Sequence, residues 1–179
     1  FEHDQPGVTR AGWIYLAATH LGTAFLLAFF VLLGQGAGSL DFADFAMPTG
    51  GVAGAAMFLL AVIGFGAKAG FMPMHVWLPE AHPAAPSFVS AVMSGVMIKT
   101  GIYGLLRVLT WAQEVPAWWG WTFICIGASS GVLGVLFALA QHDLKRLLAY
   151  HSVENIGIIL LGLGIGVLGL SSNNVPMAM

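Results

Sequence analysis

Lys68 and Lys99 each interrupt a long apolar run. A charged side chain inside a membrane span costs on the order of 3 kcal/mol on insertion scales, which makes each a functional candidate. Low dielectric lowers an amine's pKa and a nearby carboxylate raises it, so such a group can both bind and release a proton. The two lysines are placed symmetrically about the loop Glu80-Ala81-His82-Pro83-Ala84-Ala85-Pro86. Antiparallel segments joined there would hold both amines at similar depth, roughly 22 Å from the turn at 1.5 Å per residue, too far to reach the membrane surface. Matched depth points to an ion pathway. The plainer alternative is that each amine pairs with a structural carboxylate.

Four histidines and a glutamate add proton-active groups. His20 falls about 15 Å beyond Arg10 along the first apolar run, and imidazole titrates near neutral pH, as a proton relay requires. A satisfied core histidine is the alternative there. His151 and Glu154 are three apart and share a helix face, so Glu154 is a candidate proton carrier or lysine partner. His75 and His82 flank Trp77 and Glu80 beside the proline loop, at a candidate proton entrance. As a metal site, His75, Glu80 and His82 have a spacing that fits no helix-face ligand pair. Cys125 is alone and lies in an apolar run, which excludes a disulfide framework and a Cys-based metal or iron–sulfur site. Neither a metal nor a cofactor is therefore expected on this chain.

The elements that must position these groups follow from composition. The chain has 179 residues, 58% apolar and only 8% charged, against about 25% charged in an ordinary soluble domain. Mean hydropathy is +0.86. Six Lys plus Arg and eight Asp plus Glu could not clothe a soluble surface, and a net charge of −2 supplies no patch for phosphates. A soluble globular enzyme, a nucleic-acid binder and a disordered chain are excluded. What remains is an all-α, polytopic transmembrane helix bundle in a lipid bilayer. About five spans are expected, near 11–34, 51–79, 83–109, 116–141 and 146–170, each close to the roughly 20 residues a bilayer requires.

The second span is the unusual one. From Gly51 to Leu78 a straight helix would measure about 42 Å, too long for the hydrocarbon core. Gly66, Gly70 and Pro73 surround Lys68, and proline removes a backbone donor, so this helix is expected to break near Lys68. Freed carbonyls at a midplane break are a recurrent transporter device. A tilted, kinked helix is the other option. Trp111, Trp118, Trp119 and Trp121 cluster at the start of the fourth span as an interfacial belt. With five crossings, Arg10, Lys145 and Arg146 fall on one side and Arg107 on the other, which places the N-terminal tail in the cytoplasm. Glycines spread through the spans allow close backbone approach. The chain opens Phe1-Glu2-His3-Asp4 and stops at Pro176-Met177-Ala178-Met179, and is expected to be an internal piece of a longer protein.

Three motifs in order carry a resemblance. The run from Gly64-Phe65-Gly66-Ala67-Lys68 through Pro73-Met74-His75-Val76-Trp77-Leu78-Pro79-Glu80-Ala81-His82-Pro83 resembles the signature of the antiporter-like, proton-conducting subunits of respiratory complex I and its relatives. Ile98-Lys99-Thr100-Gly101-Ile102-Tyr103-Gly104 is similar to that family's following helix, and Gln141-His142-Asp143-Leu144-Lys145-Arg146 to its next loop and helix start. His151-Ser152-Val153-Glu154-Asn155-Ile156-Gly157 most resembles the large membrane subunit of group 4 hydrogenases, the formate hydrogenlyase and hydrogenase-4 type.

The resemblance implies that residues 1–179 are a fragment of a proton-conducting transmembrane domain, the sixth to tenth helices of a subunit with inverted repeats. It implies that Lys68 and Lys99 are relay lysines, and that the carboxylate partner of Lys68 and the second broken helix belong to the rest of the subunit. Partners would be other membrane subunits and a peripheral redox arm carrying nickel–iron and iron–sulfur centres, and the location the inner (cytoplasmic) membrane. On this reading the chain is a non-catalytic subunit of an oxidoreductase complex. Two competitors stay open: a subunit of a multisubunit Na⁺/H⁺ antiporter, and a structural membrane anchor.

Overall fold

The computed structural model describes residues 6–173. Seven α-helices fill it: α1 Pro6–Ala37, α2 Gly51–Ala69, α3 Leu78–Ala84, α4 Ser87–Val92, α5 Ile98–Trp111, α6 Ala117–Leu139 and α7 Leu144–Ser171. A π turn, Met93–Met97, joins α4 to α5. Among the described residues there is no strand, only one isolated bridge between Met47 and Ala112. Among the described residues, five stretches are long and apolar enough to cross a membrane: Gly7–Ala37, Gly51–Ala69, Ser87–Trp111, Ala117–Leu139 and Leu144–Ser171. The protein is a polytopic helical bundle.

Two ends can be told apart. Gly7, Val8, Glu80, Asp143 and Arg146 line one cavity at the first end. At the other end Met47 N–H donates to the Trp111 carbonyl at 2.8 Å, and Phe30, Phe42 and Phe45 surround the Trp111 ring. Arg107 lies over that ring, 5.9 Å from its centroid. The basic residues near α7's start and Arg107 therefore sit at opposite ends.

Close backbone approach sets the helix pairs. A Cβ added at Gly157 of α7 would lie 2.5 Å from the Gly131 nitrogen and 2.7 Å from the Gly127 oxygen of α6. Side chains of leucine size cannot enter such a contact, and α6 and α7 pack along most of their length. Between α2 and α6, Phe58 stacks on Trp119 with centroids 4.3 Å apart. The buried core joins Phe29 and Leu33 of α1, Phe58 of α2, Ile98 and Leu105 of α5, Phe123 of α6, and Ile156 and Leu160 of α7.

The second span ends as a helix at Ala69. Gly70 follows in the left-handed region, φ 72°, with its N–H donating to the Gly66 carbonyl at 2.7 Å. A chain in that conformation cannot continue the helix, and a Cβ there would strike Leu78. Residues 71–77 form turns before α3 begins. Pro73 lies within those turns and Gly66 within α2, so of the three residues expected to weaken the helix, Gly70 is the one at its end. Gly66 gives clearance for the Phe71 ring and Met74 instead. Gly70→Ala in the full-length protein is expected to lose about 1 kcal/mol from the positive φ alone, with a further loss from the Leu78 contact. A thermal-unfolding midpoint unchanged in detergent would contradict this.

Candidate ion-pathway site

In the low-dielectric interior of a bundle, a broken helix leaves backbone groups that must find partners. Here side chains supply them. Trp77 Nε1 donates to the Ala67 carbonyl at 2.9 Å, and Met72 N–H donates to Ser130 Oγ of α6 at 3.0 Å. The break is thus stitched to α2 and α6, with Trp77 and Phe71 buried at its centre.

Lys68 lies on the last turn of α2, half-buried. It borders a small cavity of 60 Å³ facing α1, together with Thr19, Thr23 and Leu26. Thr19 Oγ1 donates to the Tyr15 carbonyl at 2.9 Å and Thr23 Oγ1 to the Thr19 carbonyl at 2.8 Å, which leaves both oxygens as acceptors. Lys68 itself makes no hydrogen bond or ion pair to the described residues.

Lys99 stands on the second residue of α5. A Cβ at Gly101 would lie 2.7 Å from the Phe65 oxygen and 2.8 Å from the Ala69 nitrogen, so the start of α5 is level with the end of α2. The two lysines are level to within about one helical turn of 5.4 Å. Their expected burial is corrected by the structure: Lys68 is half-buried and Lys99 exposed. α5 turns Ile98, Ile102 and Leu105 toward α2, and Lys99 projects from a face that no described helix covers. Its Nζ donates to the Ser94 carbonyl of the π turn at 2.6 Å. π turns inserted in α-helices are frequent at functional sites.

The remaining candidates divide. His82 is 2% exposed, with Nδ1 at 2.5 Å from Ser90 Oγ; its Nε2 has no partner among the described residues. His82, Lys145 and His151 line one cavity of 580 Å³ between α3–α4 and α7. His151 Nδ1 lies 2.6 Å from Glu154 Oε2, so Glu154 is held by a histidine, not by a lysine. His20 and His75 are not brought to this cavity. His20 is exposed on α1, its Nδ1 at 2.8 Å from the Leu16 carbonyl. His75 is half-buried in the turns, its Nδ1 unpartnered among the described residues. Glu80 accepts from Arg146 at 2.6 Å, closing α3 onto α7, while Lys145 Nζ donates to the Ala85 carbonyl at 2.8 Å. Among the described residues no group of three His, Cys, Asp or Glu could hold a metal ion.

The sequence reading assigns no role to Ser90, Ser94, Ser130, Ser152 or Trp77. A visible signal existed for the first two: hydroxyls four apart in an apolar run. Ser130 and Ser152 act on partners 58 residues away, and spacing along the chain gives no hint of that.

Residues 1–179 match the family described as NADH:quinone oxidoreductase/Mrp antiporter, TM. The chain belongs to this family. It is 53% identical over 166 residues to hydrogenase-4 component B of Escherichia coli (strain K12), covering 90% of this chain and 25% of the relative. Formate hydrogenlyase subunit 3 of the same organism is 41% identical over 164 residues, covering 91% of this chain and 27% of that protein. NADH-quinone oxidoreductase subunit N of Desulforudis audaxviator (strain MP104C) is 39% identical over 158 residues, 82% of this chain and 31% of that protein. Among solved structures, the Mrp complex from Dietzia sp. DQ12-45-1b superposes with a TM-score of 0.80 at 25% identity, over 95% of this chain and 34% of that one. The chain thus spans about a quarter to a third of the length of these relatives, which are components of multisubunit membrane complexes.

Proposed function

We propose that this chain is part of a subunit that translocates protons through Lys68 and Lys99, within a redox-driven complex of the membrane-bound hydrogenase, formate hydrogenlyase or NADH-quinone oxidoreductase type. The observation that carries this is the level placement of the two amines on neighbouring helices, one at a helix break and one at a π turn. Electron transfer belongs to a peripheral redox arm in partner subunits, and the complex lies in the inner (cytoplasmic) membrane. His20, His75, His82, His151 and Glu154 serve as further proton-active groups.

The mechanism is charge coupling. A carboxylate from the rest of the subunit approaches or leaves Lys68 and changes the amine's affinity for its proton. The proton then passes by water to Lys99, and on to the rest of the subunit. Lys68 is suited to this because no described residue fixes its charge. The Mrp likeness supports a second reading, a Na⁺/H⁺ antiporter subunit.

The test uses the full-length subunit in its complex, in inverted membrane vesicles, with proton uptake read beside hydrogen or quinone turnover. Lys99→Gln is expected to lower uptake at least about tenfold while the complex assembles normally. Uptake by assembled Lys99→Gln equal to native rejects the relay. Uptake in the native complex that requires Na⁺ and is insensitive to redox substrate selects the antiporter reading.

A further inference from the structure

We infer that Tyr15 of α1 is a positioning residue, which holds the π turn that seats Lys99 in register with the helix break that carries Lys68; this rests on the relay roles of the two lysines proposed above. Tyr15 hydrogen-bonds to neither amine. It acts through Trp77 on one side and Met97 on the other.

On the Lys68 side the link is short. α2 ends at Ala69, so the Ala67 carbonyl lacks the N–H that a further turn would have brought to it. Trp77 Nε1 takes that place at 2.9 Å, and Ala67 directly precedes Lys68. The Trp77 side chain is enclosed, and its indole meets the Tyr15 ring edge to face, with centroids 5.2 Å apart and planes at 62°. Aromatic pairs favour this arrangement, because the positive rim of one ring meets the negative face of the other. A second route leads to the same lysine. The Tyr15 carbonyl accepts from Thr19 Oγ1, and Thr19 borders the small cavity with Lys68.

On the Lys99 side, Tyr15 OH donates to Met97 Sδ at 3.7 Å, across 82 residues of chain. Met97 is the last residue of the π turn and stands two residues before Lys99. The Ser94 carbonyl of the same turn holds the Lys99 amine, so a shift of the turn moves that amine. A thioether is a weak acceptor, and the value of the bond is geometric: it pins the tip of a side chain with three rotatable bonds.

α2 and α5 already meet at backbone distance around Gly101. That contact fixes two helix axes, but the turns 71–77 after α2 and 93–97 before α5 extend beyond it. Tyr15 spans these two turns. Transfer between positioned groups depends steeply on placement, and a misplacement of about 1 Å made far from the chemistry can cost on the order of 100-fold. Even a soft tether that limits such drift therefore changes the rate several-fold.

The experiment measures acridine-dye quenching in inverted vesicles holding the assembled complex with full-length subunit, beside complex abundance on native gels. Tyr15→Phe keeps the ring on Trp77 and removes the donor; Met97→Leu keeps the volume and removes the acceptor. Swaps that conserve volume are well tolerated, so normal abundance is expected. Each is expected to lower proton uptake about threefold, and the double variant also about threefold, since the second change finds the tether already cut. A loss of about ninefold in the double variant means independent effects and overturns the tether. Loss of the complex from the membrane in either single variant marks a purely structural contact and overturns it too. Native uptake in all three variants while Lys99→Gln is inactive overturns the tether and leaves the lysine relay standing. Native uptake in Lys99→Gln as well overturns both.

Discussion

Lys68→Ala, made in the full-length subunit within its complex, is expected to assemble normally and to lose most proton uptake, at least about tenfold. The amine breaks no hydrogen bond or ion pair to the described residues when it is removed. It borders a 60 Å³ cavity that the alanine would simply enlarge. Among the described residues the loss is therefore small, within about 0.5 kcal/mol, and activity should fall by more than abundance. Redox turnover should fall with uptake if the two are tightly coupled. Lys68→Arg should rescue poorly, because a guanidinium keeps its charge at every accessible pH and cannot release a proton. The measurements are vesicle proton uptake, substrate turnover and complex abundance on native gels. Normal pumping by the assembled Lys68→Ala complex rejects the relay role of this lysine.

The second large effect concerns stability. Gly157→Leu is expected to abolish accumulation of the folded subunit. Its Cβ position lies 2.5 Å from the Gly131 nitrogen and 3.0 Å from the Gly131 Cα, so the obstacle is backbone, which cannot rotate away. Overpacking a side-chain core costs about 1–3 kcal/mol; forcing two helices apart along α6 and α7 also empties the contacts of Ile156, Leu160 and Phe123. Gly131→Ala is the control, since a Cβ there meets nothing within 4 Å and an alanine favours the helix by about 1 kcal/mol. Membrane abundance and detergent melting of the two variants should differ sharply. Equal abundance of Gly157→Leu and native protein would show that the helices do not pack here.

Much of this architecture was legible in the residues. Uncharged runs of bilayer length announce α1 and α6, a run interrupted by His151 and Glu154 announces α7, and a run too long for one crossing, with Gly66, Gly70 and Pro73 inside it, announces a break in the stretch where α2 ends at Ala69. The antiparallel symmetry of Lys68 and Lys99 about the proline loop translates directly into Gly101 lying against Phe65 and Ala69. Lateral relations were not legible. Hydropathy gives depth along a helix and no information on which neighbour a face meets. So the exposure of Lys99 and the cavity beside Ser94 came only from the three-dimensional arrangement. Trp77 shows the same limit: nothing in its spacing announces that its indole closes the free carbonyl of Ala67 at the end of α2.

α3 has seven residues, well below the length at which a helix holds itself together. Its anchors are Arg146 on Glu80, 66 residues apart in the chain, and Lys145 on Ala85, 60 apart. Those anchors do not exist when α3 leaves the ribosome. At 5–20 residues per second, the nascent chain waits roughly 3 to 13 s with only α1 beside this segment while α5 and α6 are synthesised. The biogenesis of the protein therefore contains a window in which a short, proline-containing stretch bearing Glu80 and His82 lacks half of its docking surface. Its Glu80 carboxylate meets its charge partner only when the start of α7 emerges.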